Sequence, residues 1–332
     1  MKAAWYESQG AARDVLVVGE MLDPSPEPGE VRIRLIASGI NPGDLKKRED
    51  AFRVGMSYPR VIPHSDGAGI IDQVGEGVET ARVGQRVWCF GAQSYRPFGT
   101  AAQYTVVPTR LAVPLPEAVT LEAGACLGIP GVTAHRAVHV GGPMAGRNVL
   151  VQGGGGAVGL FAIGFSRQAG AQVLATVRSP IDEQAARNAG AHHVVRTDRR
   201  LQAEVLTELS TLAPSGVQHI VEVAFDVNVD VDTHLLAQGG TIAAYSTQDA
   251  KPTIPFWELL FKNARLFLLG SDDFPLEDKL MAAAATNQLL IDGWKGLRID
   301  KTFSLTTSPA LMNMQPQVLQ DASCLRYSQL VP

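Results

Sequence analysis

Val149-Leu150-Val151-Gln152-Gly153-Gly154-Gly155-Gly156-Ala157-Val158-Gly159 is the stretch whose reading decides the fold. The apolar, β-branched start reads as a buried parallel strand, and residues 157–169 are rich in helix formers and stop at Gly170. The glycines therefore occupy a strand-to-helix turn. There Gly154, Gly156 and Gly159 fit G-x-G-x-x-G: one glycine for the tight turn, one for close approach of a pyrophosphate, one for packing helix on strand. The helix N-terminus presents N–H groups and a partial positive charge to phosphates. The motif without its context is equally a flexible loop; here strand and helix flank it.

The next strand, residues 172–177, runs into Arg178-Ser179. A carboxylate at that strand end accepts from the ribose 2′-OH of NAD and repels a 2′-phosphate. A guanidinium reverses the preference, so Arg178 is expected to clamp the phosphate, with the Ser179 hydroxyl donating beside it. Arg196, Arg199 and Arg200, after the following strand, would add positive field. The cofactor expected is NADPH.

Outward from this core, apolar strands near 192–195, 218–222, 240–244 and 266–269 alternate with helices, giving six strands in all. That is the strand count of a doubly wound parallel (Rossmann) α/β sheet. Residues 1–117 read instead as short strands broken by Gly and Pro: 31–38, 68–74, 86–90 and 100–107. The segment 272–332 is too short for a core of its own and is assigned back to the β-rich half. The expected division is 1–120 with 272–332 as the substrate domain and 121–271 as the nucleotide domain, with a cleft where cofactor and substrate meet.

The 332 residues, 45% hydrophobic and 19% charged, with a net charge of -4, are those of a globular chain with no electrostatic attraction to nucleic acid or anionic membrane. No apolar signal core and no run of about 18 apolar residues is seen, so the expected location is cytoplasmic. Cys89, Cys126 and Cys324 are widely spaced and indicate neither a disulfide framework nor a zinc knuckle. His192-His193 at a strand start reads as structural.

Four stretches together resemble one family: Ser38-Gly39-Ile40-Asn41-Pro42-Gly43-Asp44, Pro63-His64-Ser65-Asp66-Gly67-Ala68-Gly69, Gly128-Ile129-Pro130-Gly131-Val132-Thr133-Ala134, and the glycine loop. In order and spacing they resemble medium-chain dehydrogenase/reductases, and among these the zinc-independent NADPH:quinone oxidoreductases of the zeta-crystallin type, over residues 1 to about 305. The resemblance implies a GroES-like catalytic domain beside the Rossmann domain. It implies Thr133 beside the nicotinamide and Gly155, Gly156, Ala157 and Val158 at the pyrophosphate. Thr197 and Asp226 would lie around the adenosine half, and Ala243, Ala244, Tyr245 and Ser246 at the end of the fifth strand. It also implies a homodimer joined through the edge strand near residues 265–269.

Zinc alcohol dehydrogenases that resemble this chain place a Cys ligand at Asn41 and a His ligand at Ser65; His64 is one residue out of register and Cys126 falls near the third ligand. Asn and Ser are poor replacements for catalytic zinc, so no metal is expected, and Cys126 reads as a small buried apolar residue. Without a Lewis acid the acceptor must take hydride readily, which a quinone or α,β-unsaturated carbonyl does by spreading charge onto oxygen. Asn41, able to donate and accept at once, is the expected group at the reaction centre, contacting nicotinamide and substrate oxygen; an Asn-Pro turn is the bland reading of the same residue.

Several positions depart from the family. A Tyr often found five residues after the Asn is Lys46 here, within Leu45-Lys46-Lys47-Arg48, read as a solvated face or as a substitute phosphate contact. A Lys often found after the 2′-phosphate strand is replaced within Pro180-Ile181-Asp182-Glu183, leaving that duty to Arg178. Tyr58 and Tyr95, with Phe52 and Phe98, are candidate aromatic faces for a flat acceptor. Residues 308–332 do not align with the family pattern. Two other functions are compatible with this sequence: a zinc-type alcohol dehydrogenase, and a nucleotide-binding structural or regulatory protein without turnover.

Overall fold

The computed structural model describes residues 1–305 and the backbone of one further strand, Ala322–Arg326. The expectation about residues 308–332 thus falls largely outside the described residues. By internal packing the chain divides into two units, residues 1–129 with 298–332, and residues 130–297.

In chain order the first unit opens with β1 (Lys2–Trp5), α1 (Ala12–Val15) and β2 (Val17–Glu20). Then come β3 (Glu30–Ile40), α2 (Pro42–Arg48), β4 (Asp66–Val74), β5 (Arg86–Cys89), β6 (Tyr104–Pro108), β7 (Ala112–Pro114) and α3 (Leu121–Gly124). The long strand β3 alternates buried and half-buried residues along Val31, Ile33, Leu35 and Ala37, the period-2 pattern of a sheet with one face on a core. It pairs antiparallel with both β4 and β6. The expected strand from residue 100 begins only at Tyr104, because residues 100–103 make single bridging contacts, such as Ala3 with Ala102, before the ladder starts.

The second unit begins two residues into α4 (Gly128–His139). It continues through β8 (Asn148–Val151), α5 (Ala157–Gln168), β9 (Gln172–Val177), α6 (Pro180–Ala189), β10 (His193–Arg196), α7 (Gln202–Leu212) and β11 (Val217–Glu222). It closes with α8 (Phe225–Leu235), β12 (Leu236–Ala244), α9 (Phe256–Phe261), β13 (Arg265–Leu268) and α10 (Leu276–Ile291). The six strands form one parallel sheet in the order β10-β9-β8-β11-β12-β13, the doubly wound arrangement whose order reverses between β8 and β11. Leu150, Leu174, Val195, Ile220 and Ile242 make its core with Val205, Leu209, Val229 and Leu235 from the helices. Each fully buried aliphatic side chain contributes about 1.5–3 kcal/mol relative to exposure.

The unit boundaries fall at 129/130 and 297/298, not at the expected 120/121 and 271/272. The reason for the second shift is Trp294, whose ring packs tilted against Phe161 of α5 with centroids 4.8 Å apart and which donates from Nε1 to the Ala189 carbonyl at 3.0 Å. Gly164 makes the room: a Cβ there would lie 2.7 Å from Trp294 Nε1. Beyond α10 the chain re-enters the first unit as β14 (Ile299–Ser304), parallel to β15 (Ala322–Arg326), which in turn pairs with β3. These complete a seven-stranded sheet. No helix among the described residues is long and apolar enough to cross a membrane.

Candidate active site

In the first unit the centre is Asn41, 7% exposed, at the head of α2. Its backbone N–H donates to Asp44 Oδ2 at 2.8 Å, and the Asp44 N–H returns a bond to the Asn41 carbonyl at 3.0 Å, fixing the helix start that Pro42 initiates. The Asn-Pro turn and the buried amide are thus the same residue. Asn41 Nδ2 donates to Asp66 Oδ2 at 2.8 Å. The β3–β4 register brings them together by setting Gly39 opposite Asp66.

Asp66, 1% exposed, accepts a second bond from the Ile129 N–H at 2.8 Å through the same Oδ2. Backbone crowds it on two sides. A Cβ on Gly128 would stand 2.1 Å from Asp66 Oδ1, so that motif glycine admits the carboxylate, and one on Gly39 would stand 2.1 Å from the Ala125 carbonyl oxygen and 3.2 Å from Asp66 Cβ. Beside it, Ser38 Oγ bonds His64 Nδ1 at 2.9 Å and Thr100 Oγ1 at 2.7 Å, and Thr100 Oγ1 donates to the Asp66 carbonyl at 2.5 Å. His64 holds a positive φ of 75°. Burial, reinforced by the Arg48 charge, pulls its imidazole down to about 3, so it is neutral at physiological pH.

Arg48, 2% exposed, donates to the Gly10 carbonyl at 2.6 Å. The Lys46-Lys47-Arg48 run is therefore not a plain solvated face; Lys47 Nζ also reaches Gln93 Oε1 at 3.2 Å. Tyr58 donates its phenol to the Tyr95 carbonyl at 2.5 Å, joining the two segments, and Tyr95 is 68% exposed.

In the second unit the glycine loop follows β8. The positive φ, 69°, is at Gly153, so the tight-turn glycine stands one residue before the one the motif assigned. Gly154 packs on the sheet, where a Cβ would lie 2.8 Å from Ala175 Cβ. Gly159 lets α5 touch the loop, since a Cβ there would be 2.3 Å from the Gly153 carbonyl oxygen. Gly156 is the N-cap of α5, so the N–H groups of Ala157, Val158 and Gly159 have no partner within the helix. Thr133 lies on α4, 5% exposed.

Beneath the loop runs a buried polar relay that the apolar reading of the strands missed. The Gly153 N–H donates to Thr176 Oγ1 at 3.2 Å, Thr176 Oγ1 to Gln152 Oε1 at 2.6 Å, and Gln152 Nε2 to Asp232 Oδ1 at 2.8 Å. Burial, and then the neighbouring Glu222 charge, holds Asp232 well above the usual carboxylate range, and burial raises Glu222 too. The only sequence signal was polar Gln152 and Glu222 ending apolar strands.

Arg178 follows β9 directly, exposed and without an ion pair among the described residues. Ser179 is the N-cap of α6, accepting the Asp182 N–H at 3.2 Å and donating its hydroxyl to Asp182 Oδ2 at 2.7 Å. Arg196 is paired bidentately with Asp198, and Arg200 with Glu208, so their contribution to a positive field is largely neutralised. Thr197 donates its N–H to the Val177 carbonyl at 2.8 Å, which sets it beside the start of Arg178. Asp226 accepts from the N–H groups of Gln248 and Asp249 at 3.1 and 3.2 Å; burial raises its carboxyl, but these bonds win and hold it below the ordinary range. Ala243 and Ala244 end β12, Tyr245 N–H bonds the Glu222 carbonyl, and the Ser246 carbonyl accepts from Phe225 N–H.

Residues 27–117 match the alcohol dehydrogenase GroES-like domain and residues 157–283 the zinc-binding dehydrogenase domain, so the class is a two-domain dehydrogenase. With the quinone oxidoreductase of Rattus norvegicus the chain is 34% identical over 244 residues, 73% of this chain and 72% of the relative. With a zinc-type alcohol dehydrogenase-like protein of Schizosaccharomyces pombe it is 30% identical over 265 residues, 72% and 75% of the two chains. A mycobacterial protein solved in complex with NADPH superposes with a TM-score of 0.84 at 22% identity, covering 98% of this chain and 100% of that one. The chain belongs to the zinc-independent quinone oxidoreductase family of medium-chain dehydrogenase/reductases.

The zinc in the second domain's name does not fit the residues present. Asn41 and Ser65 stand at two of the expected ligand positions, the Asn41 amide is committed to Asp66, and Cys126 is 3% exposed. Among the described residues, no group of three His, Cys, Asp or Glu is arranged to hold a metal.

Proposed function

We propose that the protein is an NADPH-dependent reductase of quinones or α,β-unsaturated carbonyls that works without a metal. NADPH, when bound, supplies the hydride. The loop Gly153 to Gly159 and the N-terminus of α5 hold the pyrophosphate, and Arg178 holds the 2′-phosphate. Thr133 and the segment Ala243 to Ser246 support the nicotinamide side, and Thr197 and Asp226 frame the adenosine side. Asn41 positions the reacting carbonyl: with Nδ2 tethered to Asp66, its remaining amide N–H and its oxygen have a fixed direction, which is what stabilising charge on an enolate or hydroquinone oxygen needs. Tyr58 and Tyr95 line the acceptor's ring.

The observation that carries this reading is the tethered Asn41 amide, in a chain of the quinone oxidoreductase family, where a metal ligand would otherwise stand. Following NADPH oxidation by absorbance with a 1,4-quinone and with a simple enone tests it, beside NADH and beside Arg178→Asp. Acceptor-dependent NADPH consumption that shifts toward NADH in the variant is expected. NADPH binding with no acceptor-stimulated turnover would overturn it in favour of a non-enzymatic nucleotide binder.

Two further parts belong to the proposal. The protein works as a homodimer joined through β13, where Leu268 is 74% exposed, with Trp257 and Phe261 of α9 67% and 72% exposed. Apolar side chains of that size along an open sheet edge favour pairing with a second copy. Its location is the cytoplasm.

A further inference from the structure

Asp182 is the residue whose placement the reading above does not use. It lies in the first turn of α6, and its side chain is laid against the phosphate loop: a Cβ on Gly155 would stand 2.4 Å from Asp182 Cβ, 2.7 Å from Cγ and 3.0 Å from Oδ1. The reciprocal bonds with Ser179, from the Ser179 hydroxyl to Oδ2 and from the Asp182 N–H to Oγ, lock that carboxylate in place. One residue before Ser179 stands Arg178; after the next strand Arg196 and Arg200 are paired with Asp198 and Glu208, while Arg199 is exposed.

In a doubly wound nucleotide unit the cofactor's adenosine ribose lies at the end of the second strand, next to the glycine loop. In this chain that place is bounded by Arg178, for which no ion pair is seen among the described residues, and by the fixed carboxylate of Asp182. A 2′-phosphate is attracted by the first and repelled by the second, whereas an uncharged 2′-hydroxyl meets neither effect. We propose that Asp182 is a specificity-determining residue that opposes Arg178, so that the protein prefers NADPH over NADH only weakly. The proposal rests on the NADPH reading above. It also accounts for Ser179, whose hydroxyl serves the carboxylate instead of the phosphate.

The test is equilibrium binding, without turnover, of NADP+ and NAD+ by calorimetry, with 2′-AMP and 5′-AMP as fragments. Asp182→Asn should tighten NADP+ and 2′-AMP by roughly tenfold, an effect expected of one charge removed near a protein surface, and leave NAD+ and 5′-AMP within about twofold. The gain should shrink as salt is raised. Asp182→Ser, which keeps a hydroxyl partner for Ser179, should behave the same way if charge is the cause. Arg178→Ala should weaken NADP+ alone. An NADP+/NAD+ ratio unmoved in both Asp182 variants, or an equal change for both dinucleotides, overturns the proposal. If the ratio still moves with Arg178→Ala in that experiment, the NADPH reading survives; if it moves with neither residue, both fall.

Discussion

Replacing Asp66 by Ala separates what the Asn41 tether contributes to folding from what it contributes to chemistry. Asp66 is 1% exposed and takes two donors, Asn41 Nδ2 and the Ile129 N–H, each at 2.8 Å. A hydrogen bond to a charged group contributes about 1.5–3 kcal/mol, so losing both strands two donors at a cost of roughly 3–6 kcal/mol. Against this, the chain no longer buries a carboxylate, which returns part of the cost. The net expectation is a loss of about 3 kcal/mol, a melting temperature lower by roughly 6–12 °C at the 2–4 °C per kcal/mol of a unit this size. Asp66→Asn keeps an oxygen that can accept both bonds and should lose about 1 kcal/mol.

For catalysis, an untethered Asn41 amide samples several rotamers, and misplacement on the scale of an ångström costs up to about 100-fold in rate. Asp66→Ala should therefore lower kcat roughly 10- to 100-fold, with KM for NADPH within about threefold, while Asp66→Asn retains most activity. If Asp66 acts through Asn41, the effects of Asp66→Ala and Asn41→Ala on kcat are strongly non-additive in a double-mutant cycle. Steady-state kinetics and thermal unfolding on the four proteins decide it. Additive effects on kcat, or a fallen melting temperature with kcat unchanged, would refute the positioning argument.

Gly159→Ala puts a Cβ 2.3 Å from the Gly153 carbonyl oxygen and 2.9 Å from Gly154 Cα, so α5 must lift from the loop; an overpacking loss of about 1–3 kcal/mol by urea unfolding, with NADP+ affinity weakened as well by calorimetry, is expected. His64 is neutral in the fold with its value lowered to about 3, whereas the unfolded chain protonates near 6.5. Its contribution is fully present above about pH 6.5 and is lost as pH falls toward 3, at up to about 1.4 kcal/mol per unit. The pH dependence of urea unfolding between 7 and 5 should flatten by about one proton in His64→Asn, a residue that tolerates the positive φ; an unchanged slope speaks against a neutral buried imidazole. Leu268→Glu on the β13 edge should give a monomer by light scattering with little change in the far-ultraviolet circular dichroism, and a parent protein that is already monomeric removes the dimer.

Much of the nucleotide unit was legible because its strands are buried on both faces and read as unbroken apolar runs such as Val149–Leu150–Val151 and Val173–Leu174–Ala175. The first unit was less so. β1 and β2 are four residues each and form a two-stranded sheet, too short to carry a period. The return of α10 and Trp294 to α5 depends on which small residue leaves room, and Gly164 is a notch only once Trp294 is seen to fill it. Asn41 could be singled out by residue type, but the role of Asp66 follows from the Gly39–Asp66 register, which no local pattern encodes.

Ser179 is the instructive case, because the signal of its capping role was in the sequence. Ser179-Pro180-Ile181-Asp182 has a cap residue, a proline at the first helical position and an acidic residue three places after the cap, the signature of a helix start. A side chain that closes its own helix has its lone pairs facing the helix N–H groups, and here its proton goes to Asp182. A 2′-phosphate has to compete with Asp182 for that proton. Beside that cap stand the exposed Arg178 guanidinium and the Asp182 carboxylate, laid against Gly155. On the proposal above, the charge at that strand end is a balance of Arg178 and Asp182, and the Asp182→Asn binding ratio measures how far the second offsets the first.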